Sequence, residues 1–161
     1  MRRRRPSGPV ESTGGGMFAI NLDERDRATM IGFVRQLDEL LDADSDDPRL
    51  RRLYPVAYHD DPERDAEYQG YMHDELRQSR RASAATAIEM LSSPEPITEA
   101  QLHGFMIVLN SLRLVLGTLL DADESDRVED IDADDPLFGQ AQLYGYLGWL
   151  LEWTVAALSG E

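Results

Sequence analysis

Residues 102–120 read LHGFMIVLNSLRLVLGTLL, apolar on nearly every side of a helix. A helix of that kind must be covered on several faces, whereas a surface helix needs only one apolar stripe. The rest of the chain therefore has to supply helices that pack around it. Asn110 and Arg113 interrupt the stretch, three residues apart and so on neighbouring positions of one face. They also break the roughly 18 uninterrupted apolar residues that would mark a membrane span. A buried guanidinium needs a partner, because an unpaired buried charge costs several kcal/mol, about 3–5 when one member of a pair is removed. The acid inside GWLLEW, Glu152, interrupts the last apolar segment. The expectation is a buried structural pair of Arg113 with Glu152, with Asn110 satisfying nearby polar groups. The alternative is a pocket for an anionic ligand lined by Arg113, Asn110 and His103.

Taken in order, residues 1–16 (MRRRRPSGPVESTGGG) lack periodicity and predict a disordered basic tail. Arg2 to Arg5 precede no apolar segment, which excludes a secretory or twin-arginine signal. They fit a solvated tail or a phosphate-binding arm. Residues 17–22 read as a short extended segment. A first helix over 23–42 follows, capped by Asn21 with Glu24 three residues on, and Met30, Phe33, Val34, Leu37, Leu40 and Leu41 keep helical spacing. Asp47-Pro48 and Asp61-Pro62 each place a capping acid before a proline at the first helical position. They predict a short helix over RLRRLYP and a long, more exposed one to about Leu91. Thr98 with Gln101 forms a capping box for the central helix. Asp135-Pro136 starts a last helix to about Leu158, carrying Tyr146, Trp149 and Trp153, which are expected in the core. Its small residues Ala141, Gly145 and Gly148 suggest close approach of another backbone.

Catalytic signatures are missing from this pattern. The chain has no cysteine, which excludes disulfides, thiolate metal sites and cysteine nucleophiles. His59, His73 and His103 lack metal-ligand spacing, and neither a Gly-x-Ser-x-Gly turn nor a phosphate-cradling glycine loop occurs. Two acidic runs, from Asp42 and from Asp121, alternate like calcium loops. Both have aspartate (Asp47, Asp126) where glycine belongs, and Leu53 or Asp132 where glutamate belongs, so both read as solvated connections. No cofactor and no enzymatic activity are expected.

The net charge is −15, and every one of the 16 positive charges is arginine. The first sixteen residues carry +3, so the rest carries −18, a body that repels nucleic acid and anionic membranes. Any phosphate or acidic partner would have to meet a local cluster. Arg49, Arg51 and Arg52 in the short helix and Arg77, Arg80 and Arg81 in the long one form such a patch if the two pack together. The competing reading pairs Asp74 or Glu75 with Arg77 to Arg81 along the helix.

Three segments together resemble the actinobacterial DUF2017 family: RLYPVAYHDDPERDAEY at 52–68, LNSLRLVLGTLL at 109–120 and YLGWLLEWTV at 146–155. The resemblance spans about residues 17–158. It implies a small cytoplasmic helical protein similar to AosR-like oxidative-stress transcriptional regulators, which act with a sigma factor. In that subgroup redox sensing is attributed to a Cys-x4-Cys pair, and this chain has no cysteine to form one. The fold expected is all-α, one helical domain over 17–161 with three to four main helices and two acidic connections. The function expected is a non-enzymatic regulator or adaptor binding a protein partner, either the transcription machinery or a sigma factor. The alternatives are a DNA-binding regulator using the arginine cluster and tail, and a small ligand-binding bundle. Neither membrane association nor an oligomeric state follows from the sequence.

Overall fold

The computed structural model describes residues 8–42, 47–54, 58–120 and 132–160. The arginines at 2–5 and the central parts of both acidic connections lie outside them. The elements run β1 (Val10–Gly14), β2 (Met17–Ile20), α1 (Glu24–Asp42), a 3₁₀ helix (Pro48–Leu53), α2 (Pro62–Leu91), β3 (Ile97–Thr98), α3 (Glu99–Leu119) and α4 (Phe138–Ser159). The chain is mostly helical, as expected, yet it carries a three-stranded antiparallel sheet in the order β1-β2-β3, which corrects the all-α reading.

That sheet also corrects the tail. The glycine run is a hairpin turn: Gly14, Gly15 and Gly16 all have positive φ, at 93°, 63° and 76°. A two-residue hairpin loop needs such angles to match strand twist, and glycine adopts them without penalty. Val10 then pairs with Ile20 and Ser12 with Phe18. Val10, Phe18, Ile20 and Ile97 turn their side chains into the core and are buried. Residues 8–16 thus belong to the folded body.

The helix caps follow the sequence in three cases of five. Asp47 accepts from the Arg49 amide and Asp61 from the Arg64 amide. Thr98 and Gln101 bond each other's backbone amides in a complete capping box. For α1 the cap is Asp23, which accepts from the Asp26 amide at 2.7 Å, while Asn21 donates its side-chain amide to the Gly8 carbonyl and to Glu11. For α4 the helix begins at Phe138, two residues later than expected. Asp135 instead closes the preceding turn, accepting from the amides of Leu137 and Phe138.

Helix α3 lies at the centre, packed against α2, α4 and the 3₁₀ helix. By length and composition it could cross a membrane, but Leu102, Phe105, Val108, Leu109 and Leu112 are buried against protein. The buried hydroxyls of Ser111 and Thr154 bond carbonyls one turn back in their own helices, so neither is orphaned. The close approach of the fold is at Gly117. A Cβ there would stand 2.6 Å from Nη1 of Arg52 and 3.4 Å from the Tyr144 ring. The expected stripe is looser: a Cβ on Gly148 would meet only Nε of Arg113 at 3.9 Å, and one on Gly145 would meet nothing.

One side chain ties the sheet to the helices. Arg27 of α1 donates Nε to the Leu22 carbonyl at 3.0 Å and Nη2 to the Ile20 carbonyl. Its Nη1 donates to Ser93 at 2.9 Å and Leu91 at 3.4 Å. A cation is well placed there, because the carbonyls ending α2 carry the negative end of its dipole. Replacing Arg27 by Met strips these carbonyls of their donors. The expected cost is on the order of 3 kcal/mol in urea unfolding, with the hairpin amides losing hydrogen-exchange protection first.

Candidate functional site

The six arginines of the predicted patch separate into distinct roles. Arg49 folds back on its own cap, with Nη2 at 2.6 Å from Asp47. The side-chain bond from Arg49 holds the Asp47 carboxyl down at about 2. Arg81 crosses to α1 and pairs with Asp38 at 3.0 Å and Asp42 at 2.9 Å, residues one turn apart. Pairs this open to solvent are screened by it and add little stability. Arg52 lies against Gly117 of α3, and Arg51 is exposed. Arg77 reaches Asp74 only at 3.9 Å, which is the one intrahelical pairing of the kind foreseen along α2. Arg80 lies over the Tyr54 ring, its Cζ 5.5 Å from the centroid, and burial pushes its pKa down. The structure therefore brings Arg77 and Arg80 beside Tyr54 and His73, and it spends Arg49 and Arg81 on carboxylates.

The predicted pair of Arg113 and Glu152 does not form. Glu152 is exposed, and no hydrogen bond or ion pair joins it to Arg113 among the described residues. The phase of α4 explains why. Its buried face runs through Leu147, Leu150 and Thr154, and Glu152 stands two residues from Leu150, about 200° around the helix. Arg113 instead lies over the Tyr144 ring, 5.2 Å from its centroid, with Nε sealed from water and unpartnered. Asn110 is exposed and lines a groove of about 480 Å³ between α2, α3 and α4. Arg113 and His103 are absent from that groove, so the ligand pocket envisaged around all three residues is not built.

The aromatic set on α4 gives a second correction. Trp149 and Trp153, expected in the core, are 46% and 39% exposed, and Glu152 lies between them in sequence. The buried positions of α4 take small and aliphatic side chains, leaving the tryptophans outside that stripe. Trp153 covers Gly8, where an added Cβ would come within 2.4 Å of its ring. Trp149 packs beside Tyr146, with ring centroids 5.8 Å apart. Val155 and Ile107, 45% and 42% exposed, lie apart from them and line the groove between α2, α3 and α4. Among the described residues, His, Asp and Glu do not gather into a group of three that could hold a metal ion.

The fold is a mostly helical body with a small three-stranded sheet and a tryptophan-bearing outer helix. The family described as "Domain of unknown function (DUF2017)" matches residues 3–158, and the chain belongs to it. It is 29% identical over 129 residues to a Mycobacterium leprae (strain TN) protein named "Putative oxidative stress regulator AosR". That match covers 70% of this chain and 59% of the relative, so the chain spans less than two thirds of the relative's length. No solved structure matches the chain.

The corrected position of Glu152 carries a direct test. Glu152→Gln is expected to change unfolding free energy by less than about 0.5 kcal/mol, as an exposed substitution does. A buried ion pair would lose about 3–5 kcal/mol. Arg113→Met, which keeps the aliphatic stem and removes the unpartnered donor, is expected to be neutral or stabilising in urea unfolding.

Proposed function

We propose that this protein is a non-enzymatic, cytoplasmic regulatory protein that acts by docking on a protein of the transcription machinery, such as a sigma factor. The observation that carries the reading is the outer face of α4, where Trp149 and Trp153, one turn apart, are 46% and 39% exposed. Tryptophan is enriched at the energetic centres of protein interfaces, because a large rigid ring buries much area at little entropic cost. The name of the Mycobacterium leprae relative, a stress regulator, supports the same class of role. A disulfide switch within this chain is excluded by its lack of cysteine, so its regulation would run through occupancy of the docking face.

Direct DNA binding is disfavoured by the charge. The chain carries −15 overall, and two of the six clustered arginines are already paired with carboxylates across 2.6–3.0 Å. Phosphate contacts need arginines that are free to release counterions.

The test is affinity capture from extract of the source cells, with and without DNase, using the native chain and a Trp149→Ala/Trp153→Ala variant. Recovery of RNA polymerase or a sigma factor that survives DNase and drops at least tenfold in the variant is the expected result. Recovery abolished by DNase, or unchanged in the variant, would overturn the docking role of this face.

A further inference from the structure

On α2, His73, Arg77 and Arg80 fall at i, i+4 and i+7, one stripe of the helix surface. Tyr54, just past the 3₁₀ helix, lies across that stripe. Its ring stacks on His73 with centroids 3.8 Å apart at 26°, and Arg80 covers it from 5.5 Å. Each of the four side chains holds a polar atom closed off from water and without a hydrogen-bond partner: Tyr54 OH, His73 Nε2, Arg77 Nε and Arg80 Nη1. Native structures leave few such atoms unpaired, because each costs about 1–3 kcal/mol. Here four of them share one site.

The charge is as unbalanced as the hydrogen bonding. Asp74, 3.9 Å from Arg77 and 77% exposed at its side chain, is the only carboxylate paired with the cluster among the described residues. Burial pushes the Tyr54 phenol up while the fields of Arg80 and Arg77 pull against it, so the hydroxyl stays a neutral donor. Two guanidinium groups, which can only donate, therefore sit beside a phenol and an imidazole whose own polar atoms are also unpartnered. Of the four, Arg80 lines the groove between α2, α3 and α4, together with Ser79 and Asn110, while Tyr54, His73 and Arg77 stand behind it. At about 480 Å³ that groove has the size of a small-molecule site.

We propose that Tyr54, His73, Arg77 and Arg80 form an oxyanion-binding site that takes a phosphate group, either as free phosphate or as the phosphate of a small monoester whose body lies in the groove beside Arg80. Phosphate supplies what the site lacks: a charge near −2 and several strong acceptor oxygens, which guanidinium groups bind through paired N–H donors. A carboxylate brings one charge and two oxygens, a weaker match to two guanidinium groups than a doubly charged phosphate with its third oxygen. This site is separate from the tryptophan face of α4.

Inorganic phosphate titrated against the full chain, with chloride at matched ionic strength as control, tests the proposal by thermal unfolding and calorimetry. The expected result is a saturable rise of several degrees in the unfolding midpoint with phosphate and none with chloride. Arg80→Gln, Arg77→Gln and His73→Gln should each weaken phosphate binding at least tenfold. Arg49→Gln, whose guanidinium is held by Asp47, should leave it unchanged. Each cluster variant is read alone, so the failure of one to fold leaves the other two as the test. Phenyl phosphate binding at least tenfold tighter than phosphate assigns a monoester, and equal binding assigns the free ion; either supports the site. No saturable shift, or full affinity retained in the folded cluster variants, would overturn it. Because the tryptophan variant reads a different surface, neither experiment's failure can be mistaken for the other's.

Discussion

Helix α3 can exist in water only where other elements cover it, and most of the fold is that cover. Leu102, Phe105, Val108, Leu109 and Leu112 are all buried, and each such side chain contributes about 1.5–3 kcal/mol when taken out of water. The covering comes from α2 and α4 and from the 3₁₀ helix, which adds Leu50 and Leu53. Polar residues of α3 are consequently driven to the seams between its neighbours. Ser111 bonds the Ile107 carbonyl, Arg113 lies on Tyr144, Asn110 emerges into the groove, and Gly117 admits the Arg52 guanidinium.

Local rules were the most legible part of the chain. The caps at Asp47, Asp61 and Thr98 depend on a side chain and an amide two or three residues away, so sequence contains both partners. The hairpin was missed because three consecutive glycines read equally as a linker or as a turn. Only the pairing of Val10 with Ile20 and of Phe18 with Ile97 distinguishes the two. Arg27 was missed because backbone carbonyls have no sequence signature. The expected pairing of Arg113 with Glu152 failed for a related reason. Complementary charge does not fix the phase of α4, and phase alone puts Glu152 outside.

Arginine does several different jobs in this protein, and its planar group with five donors suits each of them. Arg27 bonds carbonyls, Arg81 spans two aspartates of α1, Arg49 reinforces a cap, and Arg113 takes an aromatic face. An acidic chain can therefore hold many arginines without presenting a basic surface. Arg77 and Arg80 stand apart because each keeps a guanidinium nitrogen sealed from water and without a hydrogen-bond partner, beside the equally unpartnered Tyr54 hydroxyl and His73 Nε2.

The contrast between α3 and α4 bears most directly on function. Both helices are apolar around much of their circumference, and neither has a basic last turn or an acid-rich first turn to mark an outward face. Helix α3 is covered from several directions. Helix α4 packs on α3 and on β1, and its remaining side keeps Trp149, Trp153 and Val155 in water. Gly8 lies beneath the Trp153 ring, where an added Cβ would come within 2.4 Å of it. Exposed single apolar residues are ordinary, but two tryptophans one turn apart on an otherwise acidic body present a large dehydratable area. The same physics that forces the chain to surround α3 thus leaves α4 only partly surrounded.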